Sequence, residues 1–269
     1  MLKNDFQTEL RFTTTVQRGD VGPNVRRVQE WLCLNALRFP NASLITALDS
    51  DFGPATQQAV RNFQRAIRVP RTGIVTPALF AELCRPMATA FQTAPTGTDV
   101  RKAVVQIAQL HLKQRAAELQ TDDAQNLGPW VRAYCDSNDG SPFKWCVGFL
   151  QAVLDQVASV FGRRFTDIMP QTLSCDILAQ GGQANGRLTR SATLRNNPGR
   201  IKPGDVFLIR NPANNDWFHA GLIISRSGDV IETIEGNTDS RGSNNGTAVF
   251  ARVRNFQNTT IDLYSIESL

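Results

Sequence analysis

The chain has only two histidines, His111 and His219, and none of its cysteines form a Cys-x-x-Cys pair. A zinc-dependent hydrolase wants about three histidine-rich protein ligands, which two distant histidines supply poorly, so no metal or other cofactor is expected. The five cysteines, Cys33, Cys84, Cys135, Cys146 and Cys175, make an odd, unpatterned set. That usage fits free thiols in a reducing compartment better than a disulfide framework. No apolar run approaches the roughly 20 residues of a membrane-spanning helix. The first stretch, MLKNDFQTELRFTTT, has no apolar core of the kind a secretory signal carries. Basic runs interleaved with aromatics are also missing, so nothing supports a nucleic-acid partner.

With 41% hydrophobic and 20% charged residues over 269 positions, the composition is that of a globular protein with room for two domains. The positive charge is unevenly spread, because residues 1–95 hold 11 Lys and Arg against 7 Asp and Glu. This excess favours an anionic polymer or surface, and a solvated basic face accounts for it equally well.

An internal echo organises the front of the chain. VRRVQEWL, from Val25, and VRNFQRAI, from Val60, share a Val-Arg-x-apolar-Gln pattern, and each follows a Gly-Pro turn. Both are expected to be helices. Thr76 and Pro77 then open a third helix as N-cap and first residue, giving a three-helix bundle. The run from RGDVGPNVRRVQEWL to RTGIVTPALFAEL resembles the peptidoglycan-binding modules of bacterial and phage wall hydrolases. It departs from that family at Asp49-Ser50-Asp51-Phe52-Gly53, where serine stands in place of the usual turn glycine. Residues 1–85 are therefore expected to be a wall-binding domain with an N-terminal extension, and 86–98, PMATAFQTAPTGT, reads as a linker.

Residues 99–269 are expected to form an α+β domain. Asp99 caps a helix running to about Gln120, GPWVRAYC makes a second, and five strands follow: DVFLIR, HAGLIIS, DVIETIEGN, TAVFARVR and IDLYSIE. Between them, Ser141 and Pro142 are expected to start a helix that holds Cys146 in its first turn, where the macrodipole favours a thiolate. The other four cysteines read as packing residues, Cys175 among them in a mid-helix context. His111 reads as a surface or boundary residue. His219 is the remaining base. If Ser227-Gly228-Asp229 is a three-residue turn, the hairpin sets His219 opposite Asn237 and diagonal to Glu235. With a two-residue turn the register slips and that cluster dissolves.

GPWVRAY, GSPFKWCVGFL, KPGDVFLI, WFHAGLIIS and IEGNT, in that order, resemble the CHAP family of cysteine- and histidine-dependent amidohydrolases and peptidases, which have a papain-like fold. That resemblance implies Cys146 as nucleophile, His219 as base, Glu235 as the acid that orients it, and Asn237 as an auxiliary amide. Trp145 either lines the cleft or belongs to the core. The acidic turn DSNDG, Asp136 to Gly140, lacks calcium-loop spacing. Together the resemblances imply a peptidoglycan amidase or endopeptidase that is monomeric and works without a cofactor. Two settings fit a chain made in the cytoplasm without a signal peptide: a phage lysis enzyme, or a toxin delivered to a rival's periplasm by a secretion apparatus and countered by an immunity protein. The alternatives are an inactive wall-binding protein and a papain-like acyltransferase or protease acting on a protein.

Overall fold

A computed structural model describes residues 1–122 and 124–269. Among these residues the helices are α1 (Phe6–Leu10), α2 (Pro23–Ala36), α3 (Pro54–Ala66), α4 (Pro77–Leu83), α5 (Arg85–Gln92), α6 (Val100–Lys113), α7 (Pro129–Tyr134), α8 (Cys146–Val160), α9 (Cys175–Ala184) and α10 (Ser191–Asn196). The strands are β1 (Leu188–Thr189), β2 (Val206–Asn211), β3 (Asp216–Ser227), β4 (Val230–Thr238), β5 (Ala248–Asn255) and β6 (Ile261–Tyr264). They form one antiparallel sheet in the order β1-β6-β2-β3-β4-β5. The class is α+β, as the sequence pattern predicts.

The repeated glutamine explains the front of the molecule. Buried Gln29 on α2 donates from Nε2 to Asp49 Oδ1 at 2.7 Å and to the Asp51 carbonyl at 3.0 Å, and its Oε1 accepts from Ser50 N at 3.0 Å. Buried Gln64 on α3 does the same for the next turn, donating to Thr72 Oγ1 at 2.8 Å and accepting from Gly73 N at 2.9 Å. Each helix thus carries the polar group that satisfies the backbone of the loop after it. Ser50 adopts a left-handed φ of 65°, the conformation that favours glycine at that turn. Thr76 caps α4 as expected, accepting from Leu79 N.

Several boundaries differ from the sequence reading. Asp99 caps α6, but the helix stops at Lys113, because Arg115 turns left-handed and Ala117 pairs with Ala248 beside β5. The segment 86–98 is not a free linker. Its first part is α5, whose Met87, Ala90 and Phe91 are buried in the common core. Apolar periodicity outweighed the Pro, Ala and Thr content there.

Consequently the front helices and the α+β part share one core. Phe6 stacks on Phe91 with ring centroids 4.6 Å apart, and Trp31 of α2 meets Trp130 of α7 edge-on at 6.4 Å. Arg132 of α7 reaches back to Glu9 Oε1 at 2.7 Å and Glu30 Oε2 at 2.7 Å, and also holds Asp139 at 2.8 Å. The N–H groups of Leu2 and Lys3 both donate to Asp155 of α8 at 3.0 Å. Lys3 Nζ binds Asp136 at 2.9 Å. Both carboxylates of the DSNDG turn are therefore engaged by cations of this chain.

Candidate active site

Helix α8 begins at Cys146 itself, five residues after Ser141, because Ser141 and Pro142 are held in a turn anchored on Asn126. Cys146 is therefore the first helical residue, where backbone N–H groups lack intrahelical acceptors and the dipole favours an anion. Gly148 lets this helix approach α7, since a Cβ there would lie 2.3 Å from the Tyr134 carbonyl oxygen.

His219 lies on β3 beside this helix end. Its Nε2 is 2.8 Å from Glu235 Oε2, and both side chains are fully buried. The hairpin reaches this geometry by a different route from the one expected. Its turn has two residues, Gly228 and Asp229, with Ser227 paired to Val230, and a bulge at Ile224 then shifts the register by one. From there inward Ile223 pairs with Thr233 and Leu222 with Ile234, the register that brings Glu235 to the histidine's face of the sheet. Gly221 leaves room for the carboxylate, because a Cβ there would sit 2.8 Å from Glu235 Cγ.

Glu235 is held by more than the imidazole. Thr233 Oγ1 donates to its Oε1 at 2.5 Å, and Arg254 of β5 donates from Nε to Oε1 at 2.6 Å and from Nη2 to Oε2. Burial pushes the carboxyl up, but Arg254 and then His219 outweigh it and hold its pKa at about 2. Burial likewise opposes the imidazolium, but the Cys146 thiolate and then Glu235 hold His219 up at about 9. The Cys146 thiol is pulled well below its usual range, first by a hydrogen bond from Cys175, against burial, and then by His219. Nδ1 of His219 is buried with no hydrogen-bond partner among the described residues.

Cys175 was not legible as part of this site. It is the first residue of α9, after the N-cap Ser174, and its Sγ lies 3.9 Å from Cys146 Sγ. A cysteine directly behind an N-capping serine was the available signal. Cys146 and Cys175 open onto a cleft of ≈ 470 Å³, walled by Phe143, Lys144, Trp217 and Phe218. The Trp217 indole is fixed by a 3.0 Å bond to buried Asp262. A depression of ≈ 570 Å³ near Leu112 and Val253 lies apart from these thiols.

Two expected site residues are engaged by partners outside the His219–Glu235 pair. Trp145 is fully buried, stacked on Tyr134 at 5.5 Å and donating to Glu118 at 3.3 Å, so it supports the core beneath the cleft without lining it. Asn237 has a left-handed φ of 54° in an irregular stretch of β4, and its Nδ2 donates to Asn126 Oδ1 at 2.8 Å and to the Gly246 carbonyl. Its amide nitrogen is engaged there, and the hydrogen-bond partner of His219 is Glu235. His111 is buried, not superficial. Its Nδ1 lies 2.8 Å from Tyr134 Oη, and burial pushes its pKa down to about 4. Among the described residues, no group of three or more His, Cys, Asp and Glu side chains is placed to hold a metal ion.

Comparison with known proteins finds a match for one segment near the front of the chain. Residues 21–83 match the family described as "Putative peptidoglycan binding domain". A curated relative, the "Zinc D-Ala-D-Ala carboxypeptidase" of Streptomyces albus G, is 35% identical over 69 residues, 26% of this chain and 26% of that protein. The chain thus spans about a quarter of the length of the curated relative it matches. A peptidoglycan-binding segment is the class of module this part of the sequence defines.

Proposed function

We propose that the protein is a peptidoglycan hydrolase that cuts an amide bond of the bacterial wall by cysteine chemistry, in the manner of the CHAP family. The observation that carries this reading is Cys146 lining a cleft with the buried His219–Glu235 pair near it, in a chain whose residues 21–83 match a peptidoglycan-binding family. A relative named for acting on D-Ala-D-Ala bonds agrees with the substrate class.

The Cys146 thiolate attacks the amide carbonyl carbon, and the helix-terminal N–H groups, that of Cys146 first, receive the oxyanion. Imidazolium His219 gives its Nδ1 proton to the departing amine. Water then enters, His219 takes its proton back, and the thioester is hydrolysed. Throughout, Glu235 holds Nε2–H and keeps the ring in plane. An inert wall-binding protein would have no use for a depressed thiol beside a carboxylate-backed imidazole.

Cys146→Ala is expected to abolish release of soluble fragments from labelled sacculi while leaving the circular dichroism spectrum unchanged. Mass spectrometry of the wild-type digest identifies the bond. Sacculi digested as well by Cys146→Ala as by the wild type would end the cysteine mechanism.

A further inference from the structure

The mechanism above uses one thiol, yet two meet at the cleft. Cys146 and Cys175 each occupy the first turn of a helix, α8 and α9, and their sulfurs stand 3.9 Å apart although 29 residues separate them in sequence. A disulfide is about 2.05 Å long, so closure needs the two sulfurs to approach by about 2 Å. Both residues line the cleft, which offers a small reagent a route toward them. The two thiols are chemically unlike, since the field that lowers Cys146 raises Cys175. Cys84 and Cys135 are buried elsewhere, their thiols pushed up to about 12 by burial. One cysteine is thus ready to attack and the neighbouring one is in place to resolve.

We propose that Cys146 and Cys175 are a redox modification site, closing to a reversible disulfide that removes the nucleophile. Only the consequence for activity rests on the hydrolase reading. With a small-molecule disulfide RSSR as oxidant, the Cys146 thiolate attacks one sulfur, forms Cys146–S–S–R and expels RS⁻. That RS⁻ takes the proton of Cys175. The Cys175 thiolate then attacks Cys146 Sγ, forms the protein disulfide and expels a second RS⁻, which takes the proton from imidazolium His219. Two protein thiols are oxidised, and RSSR is reduced to two RSH.

The test equilibrates the full chain in glutathione mixtures of rising oxidation, quenches in acid and maps peptides by mass spectrometry. The five free thiols are expected to fall by two, with one bridge between the peptides of Cys146 and Cys175. Dithiothreitol should restore them. Cys175→Ser is expected to stop at the glutathione adduct on Cys146. If that variant misfolds, the wild-type map decides alone. A wild type that accumulates the adduct without a bridge, bridges another pair, or keeps all five thiols overturns the proposal. A bridged protein that still cuts sacculi overturns the switch. A reduced protein that forms the bridge but never cut the wall supports the disulfide and overturns the hydrolase reading alone.

Discussion

At the scale of single residues, the site is a chain of compensated charges. Arg254 fixes the ionisation of Glu235, Glu235 raises His219, and His219 with Cys175 lowers Cys146. The linkage has a definite sign. The imidazolium's contribution to stability is complete below the ordinary histidine value of 6.5 and is lost as pH rises toward about 9. The Glu235 carboxylate contributes fully above 4.5, and its contribution is lost as pH falls toward about 2. Activity that depends on the thiolate and imidazolium together should therefore decline on the alkaline side near 9. Glu235→Gln removes a group that raises His219, so it should move the alkaline limb of the kcat/KM profile to lower pH and cut kcat by about 10²-fold or more. An alkaline limb left in place by that substitution would remove Glu235 from the site.

At the scale of elements, the precision comes from close approaches. Gly221→Ala should press on Phe207 and Glu235 without unfolding β3, lowering kcat about 10- to 100-fold at an unchanged circular dichroism spectrum, since displacement by an ångström disrupts positioning. Steady-state kinetics on solubilised wall fragments measures it. Here the boundary of legibility also shows. The Val-Arg-x-apolar-Gln echo, the five long strands and the grouping of Cys146, His219 and Glu235 follow from local patterns and motif order. The bulge at Ile224 does not, because nothing in ISRSGDVIE distinguishes a three-residue turn from a two-residue turn with an extra residue beyond it. Both routes lead to the same register at the histidine. Arg254 was accessible in principle, since alternation along FARVR sets it on the Glu235 face, but its partner depends on how β5 pairs with β4. Cys175 depends on α9 crossing the sheet next to α8, a tertiary fact.

At the scale of the whole molecule, residues 99–269 pack against the front of the chain, where Trp130, Arg132, Asp155 and Gln156 all have partners. Expressed alone, that fragment should unfold at lower denaturant than the full chain, and Arg132→Ala in the full chain should cost roughly 3 kcal/mol by leaving the Glu9 carboxylate unpaired and Glu30 with Arg26 alone. Urea unfolding followed by tryptophan fluorescence compares all three. A fragment as stable as the intact chain would return residues 86–98 to the status of a linker. The Arg132 clamp also sets an order of events on the ribosome. Glu9 and Glu30 leave the tunnel 123 and 102 residues ahead of the guanidinium that neutralises them. The front helices carry their own loop-closing glutamines and the Phe91 partner of Phe6, while Trp31 lacks its Trp130 partner until α7 arrives. A pause in translation between those points leaves Trp31 and the Glu9 carboxylate without the partners they have in the folded chain.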